Sequence, residues 1–258
     1  MATVRDLSDL LAATAAFTGD ERGGTLFRGQ GNRAWPLVPK AGRADFAGGD
    51  WRERFSEWCW RARAVGPLPS NYWKRLALAH HHGLAGPLLD WSTSPLVAAF
   101  FAVTGPPGRR ADGVVYRFEP VVEFDPTTRD GRAAGELILA QPLPVSRRRP
   151  FPALLVPPFD HRLRAQQAAF SYHADPTLSM SDLHWPHEHA VDGSSERLIE
   201  SLDAFRIPAR CKAGIARQLE KCGVHRERLF PDPDRFAPRA ARRRAKSAGS
   251  GRAPELAS

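Results

Sequence analysis

The segment from Leu96 to Val103 constrains the fold more than any other part of this sequence. It reads Leu-Val-Ala-Ala-Phe-Phe-Ala-Val, so a helix formed here is apolar on every side. Ser92 or Ser94 is placed to cap it, and Pro95 suits its first turn. A helix without a polar face must be enclosed by other elements, and this one is too short to cross a bilayer. It is predicted to be a buried helix of a globular core.

Four further helices follow from apolar residues at helical spacing. They are Leu7 to Phe17, Trp51 to Ala64 with its aromatic stripe, a helix capped by Ser70 that runs to His82 before Gly83, and a last one that places Cys211, Ile215, Leu219 and Cys222 on one face. Short apolar or alternating runs predict strands at Thr25 to Arg28, Gly113 to Glu119, Glu136 to Ala140, Ala153 to Val156, around Gln167 and at Leu202 to Ile207. This mixture favours an α+β single domain, with mixed or antiparallel sheets flanked by helices.

The charge is concentrated at the C-terminal end. The chain of 258 residues has a formal net charge of +9, and a large share of the excess comes from Arg239 to Lys246. Ser, Gly, Ala and Pro follow that run and cannot supply a core. We therefore expect a domain over residues 1–236 and a disordered basic tail over 237–258. The tail is either a solvated extension or an arm that contacts RNA or DNA through phosphates.

Several classes of protein are disfavoured. The three cysteines are odd in number and scattered, which favours reduced thiols in a reducing compartment, and no secretory signal or membrane span is expected. We therefore expect a cytoplasmic protein with no membrane partner. Successive residues of a helix point about 100° apart, so the His80–His82 run cannot aim three ligands at one metal ion. No phosphate-binding glycine loop, Cys-x-x-Cys pair or nucleophile elbow is present.

Two charged residues lie among apolar neighbours. Arg28 ends a short apolar run, and Asp90 lies between Leu89 and Trp91. Burying either charge without a partner is costly, and glycines nearby let backbone approach a ligand. We expect Arg28, Asp90, Gln167 and either His81 or His82 to line one concave site.

The residues that carry these features resemble the FRG domain family, named for its Phe-Arg-Gly motif. The matching segments are Leu26 to Gln30, Trp35 to Pro39, Ala79 to Trp91, Ser94 to Ala98, Arg162 to Phe170, and Ile207 to Asp232. The family usually has Thr-Arg where this chain has Gly86-Pro87, which removes a hydrogen-bond donor. The resemblance implies a fold over roughly residues 5–236, and little about chemistry.

A weaker resemblance implies a mechanism. Arginine-specific ADP-ribosyltransferases carry Arg-Gly on a first strand, Ser-Thr-Ser before an apolar helix, and a catalytic glutamate on a later strand. Arg28-Gly29, Ser92-Thr93-Ser94 and Gln166-Gln167 occur here in that order, with an amide in place of the glutamate. The fold would then be ADP-ribosyltransferase-like, with Arg28 on the pyrophosphate of NAD. Asp90 or Glu136 would supply the missing charge, since a carboxylate stabilises an oxocarbenium-like state. Equally, Ser92 to Ser94 could simply cap a helix.

Two functions remain open on this evidence. One is an NAD-using transferase-like enzyme that modifies a protein or nucleic acid in a toxin or phage-defence setting. The other is a non-catalytic module that binds a nucleotide or nucleic acid. In both, the resemblances imply catalytic or central roles for Arg28, Asp90 and Gln167, and no metal. Ligand-contacting roles are implied for Gly29, Gln30, His81, His82, Trp91, Ser92, Thr93, Ser94 and Gln166.

Overall fold

A computed structural model of the chain describes residues 1–15, 24–46, 49–120, 123–140, 153–156, 161–182, 189–190, 197–198 and 201–231. The helices are α1 (Leu7–Ala15), α2 (Trp51–Ala62), α3 (Tyr72–His81), α4 (Pro95–Thr104), α5 (Arg129–Ala140), α6 (His161–Ala165), α7 (Lys212–Lys221) and α8 (Arg226–Leu229). The strands are β1 (Ala2–Thr3), β2 (Leu26–Gln30), β3 (Leu88–Ser92), β4 (Gly113–Glu119), β5 (Glu123–Phe124), β6 (Ala153–Leu154), β7 (Ala168–Tyr172), β8 (His189–Ala190), β9 (Arg197–Leu198) and β10 (Ser201–Ile207).

One mixed sheet organises the domain. Its strand order is β1-β10-β4-β2-β3-β7-β6-β5, and β8 and β9 form a separate two-stranded sheet. β1 runs parallel to β10 and β5 runs parallel to β6, whereas the other neighbours in the large sheet are antiparallel. Helices pack on this sheet, so the predicted α+β single domain with a mixed sheet is confirmed.

Helix α4 is enclosed as its sequence predicts. Ser94 is its N-cap, and Pro95 opens the first turn. The helix packs on β2, β4 and α7, where Phe27, Val115 and Ile215 are buried against it. A Cβ atom added to Gly29 would lie 1.8 Å from the backbone oxygen of Ala98, so only glycine allows β2 to approach the helix this closely.

Two further apolar clusters lie elsewhere in the domain. The first joins α2 and α3 to β3 and β7, with Trp73 in edge-to-face contact with Phe124 and Tyr172 at centroid distances of 5.0 and 5.1 Å. The second cluster joins Leu26, Trp91, Phe118 and Met180, among others. Burial of these large side chains stabilises this part of the domain.

Three local predictions are wrong. Glu136 to Ala140 is not a strand but the last part of α5. Thr128 directly precedes this helix, and its hydroxyl accepts a hydrogen bond from the Gly131 amide. A short apolar run does not distinguish a helix from a strand, and the residue that caps this helix lies outside the run. Gln167 lies in the turn between α6 and β7, with φ of +47°, rather than on a strand. Asn71, not Ser70, caps α3 through the Lys74 amide.

The remaining helices and strands lie close to their predicted positions. Gly83 and Gly223 have φ of +91° and +75° just after α3 and α7, where a left-handed residue ends a helix. The proposed disordered tail lies outside the described residues. Among the described helices, none has the length and apolar character needed to span a membrane.

Candidate functional site

The site begins where strands β2 and β3 separate. Although they are neighbours in the sheet, their register contains one Cα pair, Phe27 with Ser92. Arg28 bridges the gap beyond this pair. Its Nη1 donates to the backbone oxygen of Asp90 at 2.6 Å and lies 3.8 Å from Asp90 Oδ2. The guanidinium therefore supplies a donor to a strand carbonyl that has no β2 backbone partner opposite it.

Asp90 is held by two cationic or polar side chains. His80 Nε2 lies 2.7 Å from Asp90 Oδ1, and Arg28 approaches Oδ2. Desolvation by the surrounding protein raises the pKa of Asp90, but the charge and hydrogen bond of His80, followed by the charge of Arg28, hold that pKa well below its usual range. The Asp90 side chain is nevertheless 59% exposed. The result is a fixed, ionised carboxylate that a ligand can reach.

Two buried nitrogen atoms beside this carboxylate have no hydrogen-bond partner among the described residues. They are Arg28 Nε and His80 Nδ1. Burial lowers the pKa of the Arg28 guanidinium, and the Asp90 charge counters that effect. Buried polar atoms usually have a hydrogen-bond partner, so these two exceptions need an explanation.

Asp90 and His80 face a cavity of about 300 Å³. The walls combine basic side chains with apolar ones and one carboxylate, from Lys40, Arg43, His80, His81, Gly83, Leu84, Leu88, Leu89, Asp90, Arg162, Leu163, Gln166 and Phe170. Lys40 Nζ donates to the Gly83 carbonyl at 2.8 Å, and the Arg162 guanidinium lies 4.9 Å from the ring centre of Phe230. Three cations against one carboxylate make the cavity attractive to an anion.

The structure brings some of the predicted residues to this cavity and not others. Asp90, His81 and Gln166 line it. Arg28 contacts Asp90 but does not line the cavity itself. His82 turns elsewhere and stacks on Trp58 at a centroid distance of 6.2 Å. The histidine that bonds the carboxylate is thus His80, which sequence reasoning did not select.

Ser92, Thr93 and Ser94 lead from β3 into α4, and the first two hydrogen-bond to the turn before β7. Ser92 Oγ donates to the Gln166 carbonyl at 2.7 Å. The Thr93 amide and hydroxyl both donate to Gln167, at 3.0 Å to its carbonyl and 3.3 Å to Oε1. Ser94 caps α4 by accepting from the Val97 amide. The capping interpretation therefore holds for Ser94 alone, whereas Ser92 and Thr93 bond to the Gln166–Gln167 turn.

The strand register places the three motifs side by side. Ser92 pairs with Phe27 on β2 and with Ala168 on β7. Arg28, the Ser92–Ser94 segment and Gln167 each adjoin a residue of this row. Gln167 is exposed but does not line the cavity, and the exposed Glu136 on α5 does not line it either.

Three residues that were predicted to contact a ligand instead form contacts within the fold. Gly29 packs on α4. Gln30 is 7% exposed, with Nε2 3.4 Å from the Pro36 carbonyl. Trp91 is 3% exposed and donates from Nε1 to Ser171 Oγ at 2.8 Å. None of the three lines the cavity.

Sequence reasoning missed a buried histidine behind the site. His173 is fully enclosed, and its Nε2 lies 2.9 Å from Ser171 Oγ. Burial, with a smaller contribution from the Arg28 charge, lowers the pKa of His173 to about 3. This imidazole is neutral at physiological pH. Nothing in the local sequence Ser-Tyr-His-Ala-Asp distinguishes it from an exposed loop residue.

Two more buried charges were not predicted. Lys212 is 1% exposed and its Nζ donates to the carbonyls of Gly31 and Gly108, at 2.6 and 2.7 Å. Arg117 is equally buried and lies 2.6 Å from Asp203. These residues join distant loops and strands, so their roles are visible only in the folded chain. Within the described ranges, no group of three or more His, Cys, Asp or Glu side chains is placed to hold a metal ion.

Comparison with known protein families gives a match over part of the chain. Residues 23–110 match the FRG domain model, so the chain contains an FRG domain in this region. The matched region includes Arg28, His80, Asp90 and the capping Ser94, whereas the resemblance proposed for Arg162 onward lies beyond it. No curated protein and no solved structure matches the chain.

Proposed function

We propose that this FRG-domain protein binds a nucleotide in the cavity floored by Asp90, with NAD as the first ligand to test. The observation that carries the proposal is the composition of the cavity. Lys40, Arg43 and Arg162 surround an ionised carboxylate that a ligand can reach. Basic side chains suit phosphate oxygens, and a carboxylate suits ribose hydroxyls.

The size of the cavity limits how such a ligand lies. Ligand sites usually enclose about 300–1,000 Å³, and this cavity of about 300 Å³ is at the lower end. It accommodates one nucleotide unit, so the second half of a dinucleotide would extend beyond the cavity. Arg28 Nε and His80 Nδ1 are buried beside the floor and have no hydrogen-bond partner among the described residues.

Calorimetry of the full chain with NAD tests the proposal. Asp90→Asn keeps the shape of the floor and removes its charge, so we expect at least a tenfold loss of affinity. The matched control is Asp130→Asn, since Asp130 is exposed on α5 and does not line the cavity. Equal affinities for the wild type and both variants would argue against the cavity as the site.

A second candidate function is ADP-ribosyl transfer, in line with the weaker resemblance. The observation that favours it is the row formed by Phe27, Ser92 and Ala168, which gathers Arg28, the Ser92–Ser94 segment and Gln167 on neighbouring strands. In such a transfer the bond from ribose C1′ to nicotinamide breaks, and nicotinamide leaves with the electron pair. A target nucleophile then bonds to C1′ and loses its proton, so a protein or nucleic-acid target is required.

The amide at Gln167 makes this second candidate testable. Gln167→Glu would place a carboxylate beside Thr93, whereas Gln167→Met keeps the length without polar atoms. We expect mass spectrometry to detect ADP-ribose on cell-extract macromolecules or on the protein itself, with more product for Gln167→Glu and less for Gln167→Met. Heat with NAD but no added mass for any variant would leave the chain as a nucleotide-binding module.

We expect Arg28 to act by positioning Asp90 rather than by contacting a phosphate directly. Arg28→Lys keeps the charge but loses the fixed guanidinium geometry that reaches both the carbonyl and the carboxylate of Asp90. We expect weaker NAD binding through a displaced Asp90. Lysine cannot hold Asp90 in the same position, because its ammonium is a single point charge.

A further inference from the structure

Negative and positive charges lie at different places in the cavity. The carboxylate of Asp90 lies on β3, between His80 on α3 and Arg28 on β2. The arginines at the cavity come from separate parts of the chain, Arg43 from the position directly after a 3-10 turn at Lys40–Gly42 and Arg162 from α6. Both of these arginines are exposed, whereas Arg28 is nearly buried. Negative charge thus lies on the sheet, and the positive charge of two exposed arginines lies at the rim.

We propose, building on the proposed function, that the ligand is a phosphorylated sugar or nucleoside that enters with its hydroxyl groups first. Its vicinal hydroxyls donate to Asp90, and its phosphoryl group remains at the rim between Arg43 and Arg162. The reverse orientation would place phosphate oxygens against the carboxylate of Asp90. Like charges within a few ångströms repel strongly in a partly enclosed site, so that orientation is disfavoured.

The hydrogen bonds within the site support this polarity. Arg28 already donates to the Asp90 carbonyl and lies beside Oδ2, so its charge is committed to holding the floor. His80 is likewise committed at Oδ1. Arg43 and Arg162 form no ion pair with any carboxylate in the described part of the chain. Their guanidinium groups are therefore available for a phosphate, for which the planar fork is well suited.

Arg162 on α6 is also held by a neighbouring aromatic ring. The guanidinium of Arg162 lies over the ring of Phe230, which limits its freedom while leaving its edge donors open. Leu163 is buried next to it and anchors the short helix against the α2–α3 cluster. A prearranged donor loses less entropy on binding than a free surface arginine.

Calorimetry with adenosine 5′-monophosphate, adenosine and inorganic phosphate tests the orientation in the full-length protein. We expect the monophosphate to bind at least tenfold more tightly than adenosine, and inorganic phosphate to bind more weakly than the monophosphate. Arg43→Gln together with Arg162→Gln should remove most of the advantage of the monophosphate while leaving adenosine affinity within twofold. Arg217→Gln is the matched control, because Arg217 is exposed on α7 and does not line the cavity.

Asp90→Asn completes the test. It should reduce adenosine and monophosphate affinities by similar factors, because both ligands place hydroxyls on the floor. If the double arginine variant weakens adenosine and the monophosphate equally, the orientation is wrong although the cavity still binds nucleotides. If adenosine, the monophosphate and NAD all fail to bind the wild type, the proposed function itself fails.

Discussion

The buried histidine behind the site makes a quantitative prediction about acid stability. His173 is fully enclosed and its pKa is lowered to about 3, against about 6.5 for a histidine in an unfolded chain. Its folded-state pKa lies below the unfolded value, so the unfolded state binds the extra proton first. This contribution leaves stability unchanged above about pH 6.5 and reduces it as the pH falls from there toward about 3.

The magnitude follows from the gap between the two pKa values. Each pH unit inside the window costs about 1.4 kcal/mol of unfolding free energy. Between pH 7.5 and 4.5 the loss from this one residue is therefore about 2.5 kcal/mol, since roughly two of those units lie below the unfolded pKa. The carboxylates with lowered pKa, such as Asp6 and Asp112, respond mainly at more acid pH and contribute little to this interval.

The assay is urea unfolding at pH 7.5, 6.5, 5.5 and 4.5 for the wild type and His173→Gln. Glutamine can still contact Ser171 Oγ but does not bind a proton, so the variant should lack this part of the pH dependence. The stability difference between the two proteins should shift in favour of the variant by about 2.5 kcal/mol from pH 7.5 to 4.5. His161→Gln, at an exposed position on α6, is the control and should follow the wild type. Parallel curves for the wild type and His173→Gln would refute the reasoning.

Substitutions at three further positions test the packing that holds the site, each by urea unfolding at neutral pH. Gly29→Ala should destabilise the domain by about 3 kcal/mol or more, because its Cβ would lie 1.8 Å from the Ala98 carbonyl oxygen, and a loss below about 1 kcal/mol would contradict the close approach. Lys212→Met should cost about 2–4 kcal/mol, because it leaves the Gly31 and Gly108 carbonyls without their donor, and a neutral result would show that water replaces the ammonium. Ser94→Ala should cost about 1 kcal/mol through loss of the α4 cap, while Ser94→Asp should restore most of it, and equal stability of Ser94→Ala and the wild type would exclude a capping role.

Much of the secondary structure follows from local sequence. Pro95 after Ser94 starts α4, Gly83 and Gly223 end α3 and α7, and the alternating residues of β4 predict its full length. These signals act within a few residues of each other, through caps, fixed φ angles and side-chain periodicity. For that reason they can be read without knowing the tertiary contacts. The α5 region shows the limit, since its apolar end suits either a helix or a strand.

The candidate site divides in the same way. The sequence by itself identifies Arg28 and Asp90 as charges too costly to bury alone, and the two do lie in contact. Only the tertiary structure shows that His80, rather than His81 or His82, is the partner of Asp90. The three histidines are successive residues, so they differ only in the direction in which each side chain points. The same holds for Arg43, Arg162 and His173, which come from elements far apart in the chain. Their proximity depends on the strand order and on the separation of β2 from β3, which are set by packing of the whole sheet rather than by any local pattern.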